Sequence, residues 1–166
     1  MVTRDDWRAG VAEWLEVHDL TLSIGLPSTA YSQNDILADF QKVNNVAIKL
    51  GGASMLQSIV LQNDDANNRA IDIVLANSAI SLGTENSAIT IGDSTAHSIV
   101  GTVNIAAADY DNYANSYQAT IMNIGLPVQC ADTTTAIWVG AVYRDATGDT
   151  YTAGGTRLKL GFAQGM

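Results

Sequence analysis

The chain has a single cysteine, Cys130, in 166 residues. That excludes an internal disulfide and any cysteine-built zinc cluster. Two histidines, His18 and His97, leave little from which to build a transition-metal site. Basic residues are scarce: eight Lys and Arg stand against 17 Asp and Glu, a net charge of -9. A nucleic-acid backbone calls for a positive face, as does an anionic membrane surface, so neither is expected as a partner. No apolar run approaches the ~20 residues that span a bilayer. The first residues, Met1 to Trp7, lack the basic stretch and apolar core of a signal peptide. No Asn-x-Ser/Thr sequon occurs. Aromatics are only 7% and charged residues 15%, yet hydrophobic residues reach 47%, which is not the composition of a disordered chain. The length fits one domain with a core of its own.

Asp outnumbers Glu by fourteen to three, and there are twelve Asn. Asp and Asn favour turns, whereas Glu favours helices, so the balance points to a loop-rich β protein. The chain divides at residue 19. Residues 1–19 carry seven charged side chains and two of the three tryptophans. Thr3 and Asp6 resemble a capping box, and Asp5 and Asp6 suit the positive end of a helix dipole. Trp7, Val11, Trp14 and Leu15 recur at helical spacing. The pattern predicts an amphipathic helix or arm over about residues 4–17, too short to stand alone in water. Its stripe either packs on the chain's own β domain or anchors it to a partner.

Residues 20–166 change to a period of two. Leu20, Leu22 and Ile24 alternate with Thr21 and Ser23, as do Val46, Ile48 and Leu50, Ile89 and Ile91, and Val103 and Ile105. Leu56–Leu61, Ile71–Leu75 and Ile137–Tyr143 are compact β-rich runs, with Ile121, Ile124 and Leu126 less regular and Leu158, Leu160 and Phe162 last. Asn34 to Phe40 reads as one short helical turn capped by Asn34. Turn clusters at 63–68, 92–94, 145–149 and 154–155 separate the runs. The expected fold is mainly β, an antiparallel β-sandwich or jelly roll with a short N-terminal helix. Asn77–Thr84 is echoed nine residues later by Asn86–Asp93, two copies being too few for a repeat architecture.

Chemistry-bearing motifs are weak. Asn63, Asp65 and Asn67 have the one-three-five spacing of a calcium loop, but Asn68 replaces the glycine at position six and Val74 the glutamate at twelve. A polar hairpin loop is the preferred reading, with a weak calcium site at Asp64 and Asp65 as the alternative. Cys130 reads as a small buried hydrophobe and His97 as a surface histidine. No nucleophile elbow, Walker loop or selected carboxylate pair appears, so no catalytic, metal or cofactor residue is nominated. Tyr110, Tyr113 and Tyr117 lie among Asp, Asn and Ser, a pattern suited to a protein or sugar contact. They equally suit a loop that covers the end of the sandwich.

Ala30-Tyr31-Ser32-Gln33-Asn34-Asp35 precedes Leu37-Ala38-Asp39, then Gly51-Gly52-Ala53 and Leu56–Leu61. Ile71–Leu75, Ser81–Thr84, Ile99–Val103, Ile137–Arg144 and Tyr151-Thr152-Ala153 follow. This order, over residues 28 to 163, resembles a family of tailed-phage virion proteins, the head-decoration or cement subunits. The resemblance implies a non-enzymatic structural protein on the outer surface of the head, made in the host cytoplasm. Its partners would be the major capsid protein and its own copies, as a homotrimer at threefold or quasi-threefold positions. Residues before Leu20 depart from the family pattern, and Trp7, Val11, Trp14 and Leu15 are expected to bury against another chain. The alternative is a tail, baseplate or receptor-binding module holding carbohydrate at Tyr110, Tyr113 and Tyr117. The family has no catalytic residues to transfer.

Overall fold

The computed structural model describes residues 15–26, 29–65 and 67–164. Its strands are β1 (Leu15–Thr21), β2 (Ile36–Val43), β3 (Ala53–Asn63), β4 (Ile71–Ala76), β5 (Ile99–Ile105), β6 (Tyr110–Asn112), β7 (Tyr117–Gln129), β8 (Ile137–Tyr143) and β9 (Thr156–Gln164). One turn of helix, α1 (Asp93–Ala96), precedes β5. The strands form a five-stranded sheet, β1-β9-β3-β7-β6, and a four-stranded sheet, β2-β8-β4-β5. Every pairing is antiparallel. The fold is therefore predominantly β, as the period-two runs predict.

The two sheets share one core. Leu56, Ile59, Leu61, Leu158, Leu160 and Phe162 from the larger sheet meet Ile71, Ile73, Leu75, Val139, Ala141 and Tyr143 from the smaller. Each Val, Leu, Ile or Phe among them contributes roughly 1.5–3 kcal/mol on leaving water. A second cluster sits on the other face of the smaller sheet, where Leu82 covers Ile36, Val74 and Val142. Gly140 makes room for it, since a Cβ there would lie 2.9 Å from Leu82 Cδ1. Leu82 is held by its N–H, which donates to Asp39 Oδ1 at 2.7 Å.

Four local expectations give way to this packing. Leu15, Glu16 and Val17 are the start of β1, paired with Ala163, Phe162 and Gly161, not the end of a helix. The rest of the expected helix lies outside the described residues, and β1 runs across position 19. Asn34 does not cap a helical turn. It adopts φ 75° in a turn closed by Ser32 N–H on Asp35 Oδ2 at 2.7 Å, and β2 follows directly. Val46, Ile48 and Leu50 lie in a loop, where only Val46 is buried. Ile89 and Ile91 are not in a strand either, because their segment crosses the smaller sheet beside Leu82.

β7 is irregular for a definite reason. Leu126 pairs with Leu56 and Met122 with Ser58, so Asn123, Ile124 and Gly125 face the single residue Gln57. Asn123 and Gly125 take φ of 59° and 65° to make this bulge. It explains the spacing of three between Ile121 and Ile124, both of which pack on the core.

Candidate functional site

β1 is inverted. Glu16, His18 and Leu20 point toward the core, while Leu15 and Val17 point out and are 72% and 65% exposed. The inward polar groups have company. Gln164 Nε2 donates to Glu16 Oε2, and the His18 ring stands edge-on to Phe162 at 5.8 Å. A strand puts alternate residues on opposite faces, so with Glu16 and His18 on the half-buried side of β1, Leu15 and Val17 lie on the outer one.

The register carries this apolar face across four strands. Leu15 pairs with Ala163, Ala163 with Met55, and Met55 with Pro127. Val17 pairs with Gly161, Gly161 with Ser58, and Ser58 with Met122. Partners directly opposite share a face, so these are two adjacent rows on the outer side of the larger sheet. Met55 and Met122 are 40% and 61% exposed. Farther along, the same sheet turns polar. Asp19, Thr21, Gln62, Gln118, Arg157 and Lys159 line a shallow groove of about 490 Å³.

Of the residues nominated from sequence, Trp7, Val11 and Trp14 lie outside the described residues, and Leu15 stands at one corner of the apolar face. Tyr110 and Tyr117 are brought together, ring centroids 6.5 Å apart and near-perpendicular. Tyr110 packs against the core, and burial with the Asp109 charge nearby pushes its phenol well up. Tyr117 Oη accepts from Asn112 Nδ2 at 3.0 Å. Tyr113 is at the hairpin tip, 59% exposed. The three therefore do not form one platform: two rings secure the hairpin and one faces outward.

The oxygens of the 63–68 loop are engaged within the loop and by Thr152. Asn63 Nδ2 donates to Asn67 O at 3.2 Å, and Asp65 Oδ2 accepts from Thr152 N–H at 2.7 Å. Asp65 Oδ1 accepts from Thr152 Oγ1. Among the described residues no three His, Cys, Asp or Glu converge as metal ligands. Cys130 is buried in the core, which pushes its thiol pKa up, whereas His97 is exposed. Among the described residues no helix is long and apolar enough to cross a membrane.

Sequence reasoning missed Val17, Met55 and Met122. The alternation of Leu15 and Val17 with Glu16 and His18 was the available signal, but the helical stripe ending on Leu15 obscured it. Met55 and Met122 join that face only through the register of β3, β7 and β9. No family model matches the chain, and no curated protein matches it.

Proposed function

We propose that the chain is a non-enzymatic virion structural protein, a decoration or cement subunit that binds the outer shell of a phage head and ties neighbouring capsomers together. The observation that carries this reading is the outward apolar face of Leu15, Val17, Met55 and Met122. An exposed apolar face of this kind suits a protein–protein contact. The strand order supports it. With β6 as an added edge, the order β1-β9-β3-β7 against β2-β8-β4-β5 supports reading the two sheets as a jelly roll, an architecture that capsid and lectin domains use. A repeated lattice supplies avidity, so each contact need only be modest. The protein's partners in this reading are the major capsid protein and its own copies, as a homotrimer. The test is a cryo-electron reconstruction of the virion from which the chain comes. Density for one two-sheet domain per subunit at threefold or quasi-threefold points on the head is expected. A virion without the protein overturns the proposal.

A second reading rests on the exposed ring of Tyr113: a tail or baseplate module that stacks a sugar on that hairpin. It requires density at the tail, and glycan binding that Tyr113→Ala removes.

A further inference from the structure

The apolar face lies beside the point where the described chain begins. Fourteen residues precede Leu15, and they carry the stripe of Trp7, Val11 and Trp14. Among the described strands β1 is an edge, so Leu15 lies at the margin of the sheet. We propose that this face is the seat of the N-terminal segment, residues 4–14, of a second copy of the chain. The inference names the self-partner of the assembling role proposed above, and it does not require a capsid.

The dimensions agree. Four strands span roughly 14 Å between the outer pair at ~4.8 Å spacing. A helix from Trp7 to Trp14 would extend about 10 Å, so its stripe fits across the rows. The chemistry agrees too: Met side chains adapt to irregular partners and make favourable contacts with aromatic rings. Tryptophans are the side chains that most often dominate such contacts.

The occupant is a second copy because of how the stripe meets the strand. Leu15 is both the last member of the stripe and a member of the outward row. Val11 to Leu15 contains no Gly, Pro, Asn or Asp with which to reverse the chain. To lay Val11 and Trp14 back on its own sheet the chain would have to reverse within that stretch, and the nearest turn former is Gly10, upstream of both. A segment that does not reverse is free to reach a neighbour. An arm of one copy on the face of the next is a heterologous contact, which closes into a ring when the rotation permits.

The experiment uses full-length chains and sedimentation velocity, with circular dichroism to verify folding. Wild type is expected to associate reversibly at micromolar concentration. The arm variant Trp7→Ala/Trp14→Ala and the face variant Val17→Lys/Met122→Lys should each raise the dissociation constant at least ~30-fold. Val17 and Met122 are exposed, so the lysines leave the core intact. Mixed one to one, the face variant supplies a sound arm and the arm variant a sound face, and a heterodimer should form. A wild type that stays monomeric overturns the proposal. If its tryptophan emission also shifts to the red in the face variant, the segment sits on its own sheet instead. Association that survives the face variant overturns it too, since the arm then binds elsewhere. The capsid reading fails on a different result, the absence of the protein from the virion.

Discussion

The phenol of Tyr31 donates to the carboxylate of Glu85, fifty-four residues away. Glu85 Oε1 also accepts from the N–H groups of Gly25 at 2.8 Å and Leu26 at 3.0 Å. One side chain thus ties the segment after β1 to the segment that crosses the smaller sheet. Tyr31 is fully buried and stacks edge-on with Tyr151 at 5.9 Å. Glu85→Ala strands the phenol and frees two backbone donors, which should lower stability by about 2 kcal/mol. Glu85→Gln keeps an accepting oxygen and should cost about half as much. Urea unfolding midpoints decide it: an unchanged midpoint for Glu85→Ala would remove the clamp from this account.

The parts of the fold that were legible in the sequence are those where one face obeys one rule. β3, β4, β8 and β9 follow Leu56–Leu61, Ile71–Leu75, Ile137–Tyr143 and Leu158–Phe162 because their apolar residues point to the shared core. β1 was illegible because its polar residues point inward, where Gln164 and Phe162 receive Glu16 and His18. β2 was hidden because the Asn34-Asp35 pair that opens a turn also suits a helix cap. The 77–92 segment alternates like a strand, but Leu82 is fixed by burial on the sheet and not by a ladder partner. Tyr110 and Tyr117 were legible as a cluster through spacing alone. The apolar face was not, since its rows exist only once four strands are in register.

The 63–68 loop predicts indifference to calcium. Both oxygens of Asp65 accept from Thr152, and Asp64 Oδ2 lies 3.6 Å from Arg157 Nη2. A cation would have to displace these partners. Melting temperatures in millimolar calcium and in a chelator should therefore coincide. A rise with calcium would restore the site at Asp64 and Asp65. Asp65→Ala should lower stability in either buffer by about 1 kcal/mol, by releasing Thr152.

Cys130 reports on opening of the core. Its residue is 2% exposed, and burial raises its thiol pKa, so both access and thiolate fraction are low. A thiol reagent at pH 8 should label the native chain only as fast as it opens, and the unfolded chain at once. Labelling should slow further when unfolding is suppressed. Rapid modification of the native chain would show that the end of β7 is loose.

Tyrosine chemistry sets the alkaline limit. Tyr31, Tyr143 and Tyr151 form a buried trio, with Tyr143 and Tyr151 6.1 Å apart. Burial, reinforced by nearby Asp145 and Asp149, pushes Tyr143 up to about 12. Burial raises Tyr31 and Tyr151 further, the first helped by Glu85 and the second by the neighbouring phenols Tyr110 and Tyr143. In the unfolded chain these phenols ionise near pH 10. Below that pH both states carry the proton and stability is flat in this respect. Above it the unfolded state binds fewer protons than the native one, so stability falls as pH rises. Each buried tyrosine then costs about 1.4 kcal/mol per pH unit until its own folded value is reached. Urea titrations at pH 9, 10, 11 and 12 should show a plateau followed by a steep decline. Tyr151→Phe separates burial from hydrogen bonding, because the buried Tyr151 hydroxyl has no partner among the described residues. Removing it should make the decline above pH 10 shallower and leave stability at pH 7 equal or up to about 1 kcal/mol higher. Tyr143→Phe also flattens the decline but loses the hydrogen bond to Thr147 O, so at pH 7 it should be less stable than wild type. If Tyr151→Phe instead destabilised the protein at pH 7 as much as Tyr143→Phe, the Tyr151 hydroxyl would have a partner in solution.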